Sequence, residues 1–178
     1  MVDTLNKEQE EYYIKRKLHH LSRSPCFKGY KRIQADENEK SHKKIPHDKT
    51  RCYFLKIFPY DNEKEVKYFD REQKILELFL DEAEILKNEK TVTISIKDKK
   101  CILVPTIYYH LNDAFEYLWH MTELDEKLIR SISFQAVKIL KLLKERQVIH
   151  NGIKFENFIV VSDSPVKIAL TDFKLAQI

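Results

Sequence analysis

Two polar residues near the end of the chain flank a predicted β-hairpin. Residues 158–161 and 166–170 are β-branched and apolar, and the turn-forming residues 162–165 separate them. The hairpin would bring Asn157, which precedes it, and Asp172, which follows it, to the same end of a two-stranded ribbon. An amide oxygen and a carboxylate suit a hard divalent cation such as Mg²⁺. Without further context, such a pair is more often a turn residue and a cap residue than a metal site.

The order of residues around this hairpin resembles a known family. The sequence HNGIKFEN at 150–157 and DFK at 172–174 are similar to the H-R-D-x-x-x-x-N catalytic loop and the D-F-G motif of eukaryotic protein kinases. The resemblance implies that Asn157 and Asp172 are Mg²⁺ ligands. It also implies that Lys154 steadies a transferred phosphoryl group and that His150 has a structural role.

Three residues depart from the family pattern. Gly152 stands where the family has the aspartate that accepts the proton of the substrate hydroxyl, so the general base is absent. Asn151 replaces the family's arginine, and Lys174 replaces its glycine. The resemblance therefore predicts a kinase fold that keeps its metal ligands and Lys154 but has compromised phosphoryl transfer, with no working catalytic site expected.

An earlier strand and helix complete the expected nucleotide site. Residues 51–58 are predicted to form a strand that resembles the one carrying V-A-I-K, with Lys56 at the lysine position. Residues 65–80 have the period of an amphipathic helix, and the resemblance implies that Glu72 on this helix pairs with Lys56. Phe54 replaces the small alanine of the family motif, and its ring is expected to crowd the space for adenine.

A glycine-rich phosphate loop is missing from the sequence. The chain has two glycines, and residues 22–30, SRSPCFKGY, contain no G-x-G-x-x-G. The expected cofactors are therefore none, or weakly bound ATP with Mg²⁺.

The remaining segments predict an α+β, protein-kinase-like fold. Residues 5–21 are charged and compatible with a helix, residues 27–34 alternate as a strand, and residues 35–50 have the composition of an exposed loop. Strands are predicted at 91–96 and 101–108, a short helix at 111–121 and a long helix at 124–146. This organisation implies a helical or partly ordered extension at 1–25, an antiparallel small lobe with one helix at 26–109, and a partial, mainly helical large lobe at 110–178.

The long helix carries an apolar stripe with implications for partners. The stripe consists of Leu128, Ile132, Ala136, Ile139, Leu140 and Leu143. Because the chain ends five residues after Phe173, we expect a truncated large lobe that leaves part of this stripe exposed. Exposed apolar patches often mark partner sites, so self-association or binding of a kinase through residues 128–143 is predicted.

Composition and charge narrow the class of protein. The 178 residues include three widely spaced cysteines, which indicate neither a zinc site nor a disulfide framework. No apolar run approaches the length of a membrane helix. We therefore expect a soluble protein of the cytoplasm or nucleus.

Three functions agree with these patterns. The first is a pseudokinase that regulates or scaffolds a signalling partner. The second is a weak, atypical Ser/Thr kinase that uses Lys56, Glu72, Asn157 and Asp172. The third is a nucleic-acid-binding module, because residues 15–51 hold twelve Lys or Arg against four acidic residues, within a chain of net charge +4.

Overall fold

The computed structural model describes residues 12–18, 26–32 and 47–178. Contacts between backbone positions divide the chain into two compact units. The first comprises residues up to Val66 together with Asn88–Tyr108, and the second comprises Lys67–Lys87 and Tyr109–Ile178. The described residues form an α+β structure with antiparallel sheets, which confirms the α+β part of the predicted fold class.

The first unit contains a five-stranded antiparallel sheet in the order β1-β2-β3-β5-β4. Its strands are β1 (Tyr12–Leu18), β2 (Cys26–Arg32), β3 (His47–Pro59), β4 (Val92–Ile96) and β5 (Lys99–Ile107). The sheet is compatible with a kinase-like small lobe.

One face of this sheet holds the core of the first unit. Successive side chains of a strand point to opposite faces, and the alternate β3 residues Tyr53, Leu55 and Ile57 are buried. They pack with apolar residues of the other strands, namely Tyr12, Val92, Ile94, Cys101 and Leu103. The β3 residues between them, including Phe54 and Lys56, therefore project from the opposite face.

The predicted helix at residues 5–21 is wrong where the structure describes it. Tyr12–Leu18 is strand β1, paired antiparallel with β2 from Tyr12 opposite Lys31 to Leu18 opposite Cys26. Tyr12 is buried, and its ring meets that of Tyr53 edge-on at 5.4 Å. Pairing with a distant strand has overridden the local helix propensity of the charged residues.

The predicted loop at residues 35–50 also needs a correction at its end. Strand β3 begins at His47, which pairs with Arg32 of β2, so residues 47–50 belong to the sheet. The rest of this predicted loop, residues 1–11 and residues 19–25 lie outside the described residues. Much of the basic segment behind the nucleic-acid hypothesis lies there too.

The second unit is built on three helices and a hairpin. Helix α1 (Glu63–Leu76) enters this unit at Lys67 and continues as a 3₁₀ turn (Glu77–Phe79). Helix α2 (Ala114–Trp119) and helix α3 (Glu126–Glu145) follow, and β6 (Phe158–Asp163) pairs with β7 (Val166–Leu170). None of the described helices is long and apolar enough to span a membrane.

Helices α2 and α3 each begin at a capping aspartate. Asp113 accepts a hydrogen bond from the Glu116 backbone N–H at the start of α2, and Asp125 does the same for Lys127 at the start of α3. Such caps satisfy backbone donors that a helix start leaves unpaired. They explain why both helices begin later than the predicted residues 111 and 124.

The core of the second unit draws on all its elements. Its larger members are Ile75, Phe79, Ile85, Ile132, Ile139, Leu143, Phe158, Val160, Ile168, Leu170 and Phe173. On α3, the predicted stripe is buried at Ile132, Ile139 and Leu143, whereas Leu140 is 42% exposed. The stripe thus packs mainly into the unit's own core.

The outer edge of β7 is also covered from within the second unit. The Gln135 side chain on α3 donates to the Val166 carbonyl at 3.0 Å and accepts from the Ile168 N–H at 3.1 Å. Further along, the Leu170 N–H donates to Glu84 and the Leu170 carbonyl accepts from Leu86. These bonds fix the strand that leads to Asp172.

Candidate functional site

The base of the hairpin places Asn157 and Asp172 next to each other. Asn157 closes a 3₁₀ turn (Phe155–Asn157) immediately before β6, and Asp172 follows β7 after a single residue, Thr171. The Thr171 N–H donates to the Asn157 carbonyl at 2.9 Å. The described structure thus has the arrangement that the hairpin pattern predicts. The role of the two residues as metal ligands stays a prediction.

The Asn157 side chain is held in a defined orientation. It is buried, and its Nδ2 donates to the Gly152 carbonyl at 2.7 Å. Because the amide nitrogen is the donor in this bond, Oδ1 is the atom of the side chain that can accept a hydrogen bond or bind a cation.

Asp172 has a backbone conformation that is uncommon for a residue with a side chain. Its φ of 67° and ψ of 59° lie in the left-handed region, which aspartate tolerates better than most residues. Asp172 begins a 3₁₀ turn (Phe173–Leu175) that brings Lys174 back towards it.

The two carboxylate oxygens of Asp172 have different surroundings. Oδ2 lies 3.0 Å from the Lys174 Nζ, whereas Oδ1 is buried without a hydrogen-bond partner among the described residues. A buried acceptor without a donor is costly. This oxygen therefore fits a divalent cation, which would neutralise it together with the Asn157 Oδ1 as a second ligand.

His150 supports the loop that carries Asp172. It is buried, and its Nε2 lies 3.1 Å from the Thr171 carbonyl. Its ring meets the Phe173 ring at 4.7 Å, and Phe173 in turn lies 5.9 Å from Phe79. Burial lowers the pKa of the His150 imidazole, although the bond to Thr171 opposes this effect. These contacts agree with the structural role expected for His150.

Gly152 lies between His150 and Asn157. A Cβ atom built on Gly152 would lie 3.4 Å from the His150 Nδ1 and 3.5 Å from the Asn157 Nδ2. These are ordinary van der Waals distances, and the Gly152 φ is not in the left-handed region. The backbone therefore accepts a Cβ atom here, and neither close packing nor a left-handed conformation requires the glycine.

The neighbouring loop residues make local contacts. Asn151 adopts a positive φ of 59°, and its Nδ2 donates to the Leu175 carbonyl at 3.1 Å. Lys154 is exposed, with its Nζ 3.6 Å from Glu156. The Asn151 bond ties the loop to the turn after Asp172, where the family arginine would meet a phosphorylated segment.

The residues predicted for nucleotide binding are described within separate units. Phe54 and Lys56 are partly exposed on β3 in the first unit, opposite Thr106 and Val104 of β5. Glu72 is buried on α1 in the second unit. The pairing of Lys56 with Glu72 and the crowding of adenine by Phe54 stay predictions.

Two residues with defined roles in this region were not singled out for them from the sequence. Gln135 was not predicted to contact β7, because no local pattern relates one helix residue to a strand more than thirty positions away. Lys174 was predicted only as a replacement for glycine. The signal for the ion pair was the positive charge of Lys174, which follows Asp172 by two residues in a tight turn.

The described residues contain no group of three or more His, Cys, Asp or Glu that would hold a metal ion. A cation at the hairpin base would therefore depend on Asp172 and Asn157, with water as its other ligands.

Comparisons with known proteins extend the resemblance. No protein-family model matches the chain. The chain is 37% identical over 67 residues to the meiosis-specific serine/threonine-protein kinase mek1 of Schizosaccharomyces pombe, a match that covers 36% of this chain and 15% of the relative. It is 32% identical over 83 residues to the serine/threonine-protein kinase ppk25 of the same organism, covering 43% of this chain and 19% of the relative.

These matches indicate a protein-kinase-like relationship over part of the chain. The aligned stretch spans less than a fifth of the length of either relative. The relationship therefore supports a kinase-like protein, and its activity is a separate question.

Proposed function

We propose that this chain is a kinase-like protein that does not transfer phosphoryl groups and acts by binding a signalling protein. The observation that carries the proposal is Gly152, at the position where protein kinases have their general base. The backbone around Gly152 has room for a Cβ atom. The absence of a carboxylate is thus a property of the sequence and not a demand of the fold.

Neither of the two side chains nearest to Gly152 replaces the missing base. The His150 imidazole is close to Gly152, but it is buried and its Nδ1 is enclosed. The Asn157 amide donates to the Gly152 carbonyl and has no basic nitrogen. A substrate hydroxyl at this position would therefore find no general base in either of these side chains.

Nucleotide binding is proposed to be weak or absent. Phe54 projects from the β3 face that also carries Lys56, and its ring is far larger than the alanine of the family motif. The sequence also lacks the glycines that would let a backbone loop cradle phosphates. Crowding by Phe54 would weaken the contacts to adenine, and the missing glycines would weaken the contacts to the phosphates.

An exposed apolar surface on α3 supports a role in protein binding. We define the α3 outer face as Ile129, Phe134, Val137 and Leu140, which are between 42% and 63% exposed. It lies beside the buried stripe on the same helix. We propose that this face contacts a protein partner, either a kinase or a second copy of the chain.

Light scattering of the purified chain tests the partner proposal for the second copy. Wild type at tens of micromolar should be larger than a monomer, and Val137→Glu should shift it towards a monomer. Lys127→Glu is the matched control, because it introduces the same acidic side chain at an exposed position of the same helix without removing apolar surface. A monomeric wild type that also fails to bind a kinase through this face would refute the role of α3.

A weak, atypical Ser/Thr kinase is the second candidate. It is favoured by the orientation of Asn157 and by the buried, unpartnered Oδ1 of Asp172. Phosphoryl transfer depends chiefly on positioning and charge stabilisation, so loss of a base alone need not abolish it.

A phosphoryl-transfer assay separates the two candidates. With radiolabelled Mg·ATP and a mixture of protein substrates, the proposed function predicts no transfer by wild type above that of Asp172→Asn. Transfer by wild type that is lost in both Asp172→Asn and Lys56→Ala would establish the kinase instead.

A further inference from the structure

The ion pair between Lys174 and Asp172 is more enclosed than the exposed ion pairs on helix α3. The Nζ–Oδ2 distance is 3.0 Å, and the two side chains are 31% and 20% exposed. By comparison, the Lys141–Glu145 pair on α3 spans 3.8 Å between side chains that are 76% and 58% exposed. An enclosed charge pair is screened less by water and salt.

We propose that the Lys174 ammonium is a tethered cation that pairs with Oδ2 of Asp172 and competes with a divalent metal for this carboxylate. This inference rests on the proposed function, because a protein that does not transfer phosphoryl groups does not require a catalytic metal at Asp172. Lys174 stands at the place of a family glycine, which has no side chain to compete for the carboxylate.

The local geometry favours this intramolecular partner. Only Phe173 separates the two charged residues, and Phe173 is fully buried, so the 3₁₀ turn that holds Lys174 is fixed by the core. Because its backbone is already held near the carboxylate, Lys174 loses less conformational freedom on pairing than a lysine on a flexible segment would. It is also present at a high effective concentration compared with a dissolved cation.

A divalent cation would meet a like charge at this position. To bind Oδ1 of Asp172 and Oδ1 of Asn157, the ion would share a carboxylate with the ammonium on Oδ2. Repulsion between charges a few ångströms apart in a partly buried site opposes this arrangement. The metal must therefore displace Lys174 or bind weakly beside it.

Titration of the full chain with Mn²⁺ alone, followed by electron paramagnetic resonance of the free ion, tests the inference. Mn²⁺ takes the same oxygen ligands as Mg²⁺. Lys174→Met removes the charge but keeps a side chain of similar length, and it should bind Mn²⁺ at least about tenfold more tightly than wild type. The gain should vanish in Lys174→Met combined with Asp172→Asn.

Two further variants separate the local ion pair from general electrostatics. Lys174→Arg keeps the positive charge and should bind Mn²⁺ as weakly as wild type. Lys141→Met removes a lysine from the exposed α3 pair and should leave Mn²⁺ binding unchanged. If Lys174→Met does not fold by circular dichroism, Lys174→Gln serves as the second uncharged variant with the same expected gain.

Equal Mn²⁺ affinity of wild type and the uncharged variants would overturn the inference, whether that affinity is high or low. The same holds for a gain that survives Asp172→Asn. These outcomes are distinct from failure of the proposed function, which would appear as phosphoryl transfer by wild type and is measured without reference to Lys174.

Discussion

Removal of the Gln135 side chain should loosen the strand that positions Asp172. In Gln135→Ala, the Val166 carbonyl loses its donor at 3.0 Å and the Ile168 N–H loses its acceptor at 3.1 Å. Strand β7 pairs with β6 on its other side, so no strand replaces the lost bonds.

The expected cost follows from two hydrogen bonds in a partly buried setting. Each contributes about 0.5–1.5 kcal/mol net, and a buried N–H left unpaired costs about 1–3 kcal/mol. Because Ile168 is buried, we expect Gln135→Ala to lower the free energy of unfolding by about 2–3 kcal/mol. For a protein of this size, the corresponding fall in Tm is roughly 5–10 °C.

Urea denaturation followed by circular dichroism measures this change, and Gln135→Glu refines it. The glutamate variant keeps an acceptor for the Ile168 N–H but turns the donor that faces the Val166 carbonyl into a negative oxygen. It should therefore also be destabilised. Glu145→Ala is the control on the same helix, because its exposed ion pair contributes at most about 1 kcal/mol. A Gln135→Ala midpoint equal to that of wild type would refute the role assigned to this side chain.

Three further predictions concern the loop and the sheet. Gly152→Ala should fold, and urea denaturation should show a free energy of unfolding about 0.4–1 kcal/mol higher than that of wild type. The alanine restricts the unfolded chain, and its Cβ makes only van der Waals contacts in the folded state. Marked destabilisation would show that the glycine is required. Because burial lowers the pKa of His150 in the folded state, its contribution to stability should be complete above the unfolded pKa of about 6.5 and should be lost as the pH falls below it. Urea midpoints at pH 7.5 and 5.5 should therefore differ more for wild type than for His150→Gln, and equal pH dependence would contradict the assignment. Phe54→Ala should increase the rise in Tm that millimolar Mg·ATP produces, since a ligand that binds only the folded state stabilises it; an unchanged or smaller rise would show that Phe54 does not crowd the nucleotide.

Local patterns in the sequence were sufficient for much of the second unit. The alternation of apolar residues and the turn formers at 162–165 predicted the β6–β7 hairpin, and the period of α3 predicted its buried residues. Both predictions depend on which face of a strand or helix is buried, and the spacing of apolar residues along that element identifies this face. The same hairpin fixed the relative position of Asn157 and Asp172.

Contacts between distant residues were beyond such patterns. Tyr12–Leu18 carries charges that favour a helix locally, yet its partner in β2 makes it a strand. Gln135 contacts residues of β7 that lie 31 and 33 positions further along the chain. Leu140 belongs to the apolar stripe by its spacing, but its position at the margin of the buried face leaves it exposed. Each of these outcomes depends on tertiary packing, which periodicity alone does not encode.

Single-turnover phosphoryl transfer gives the most direct test of the central claim. The purified chain in large excess over radiolabelled Mg·ATP should transfer no label to itself or to added protein over several hours, because no proton acceptor stands at Gly152. Gly152→Asp measured beside it should show whether the missing carboxylate is the only defect, and we expect it to remain inactive because nucleotide binding is also proposed to be weak or absent. Label transferred by wild type, and abolished by Asp172→Asn, would contradict the account.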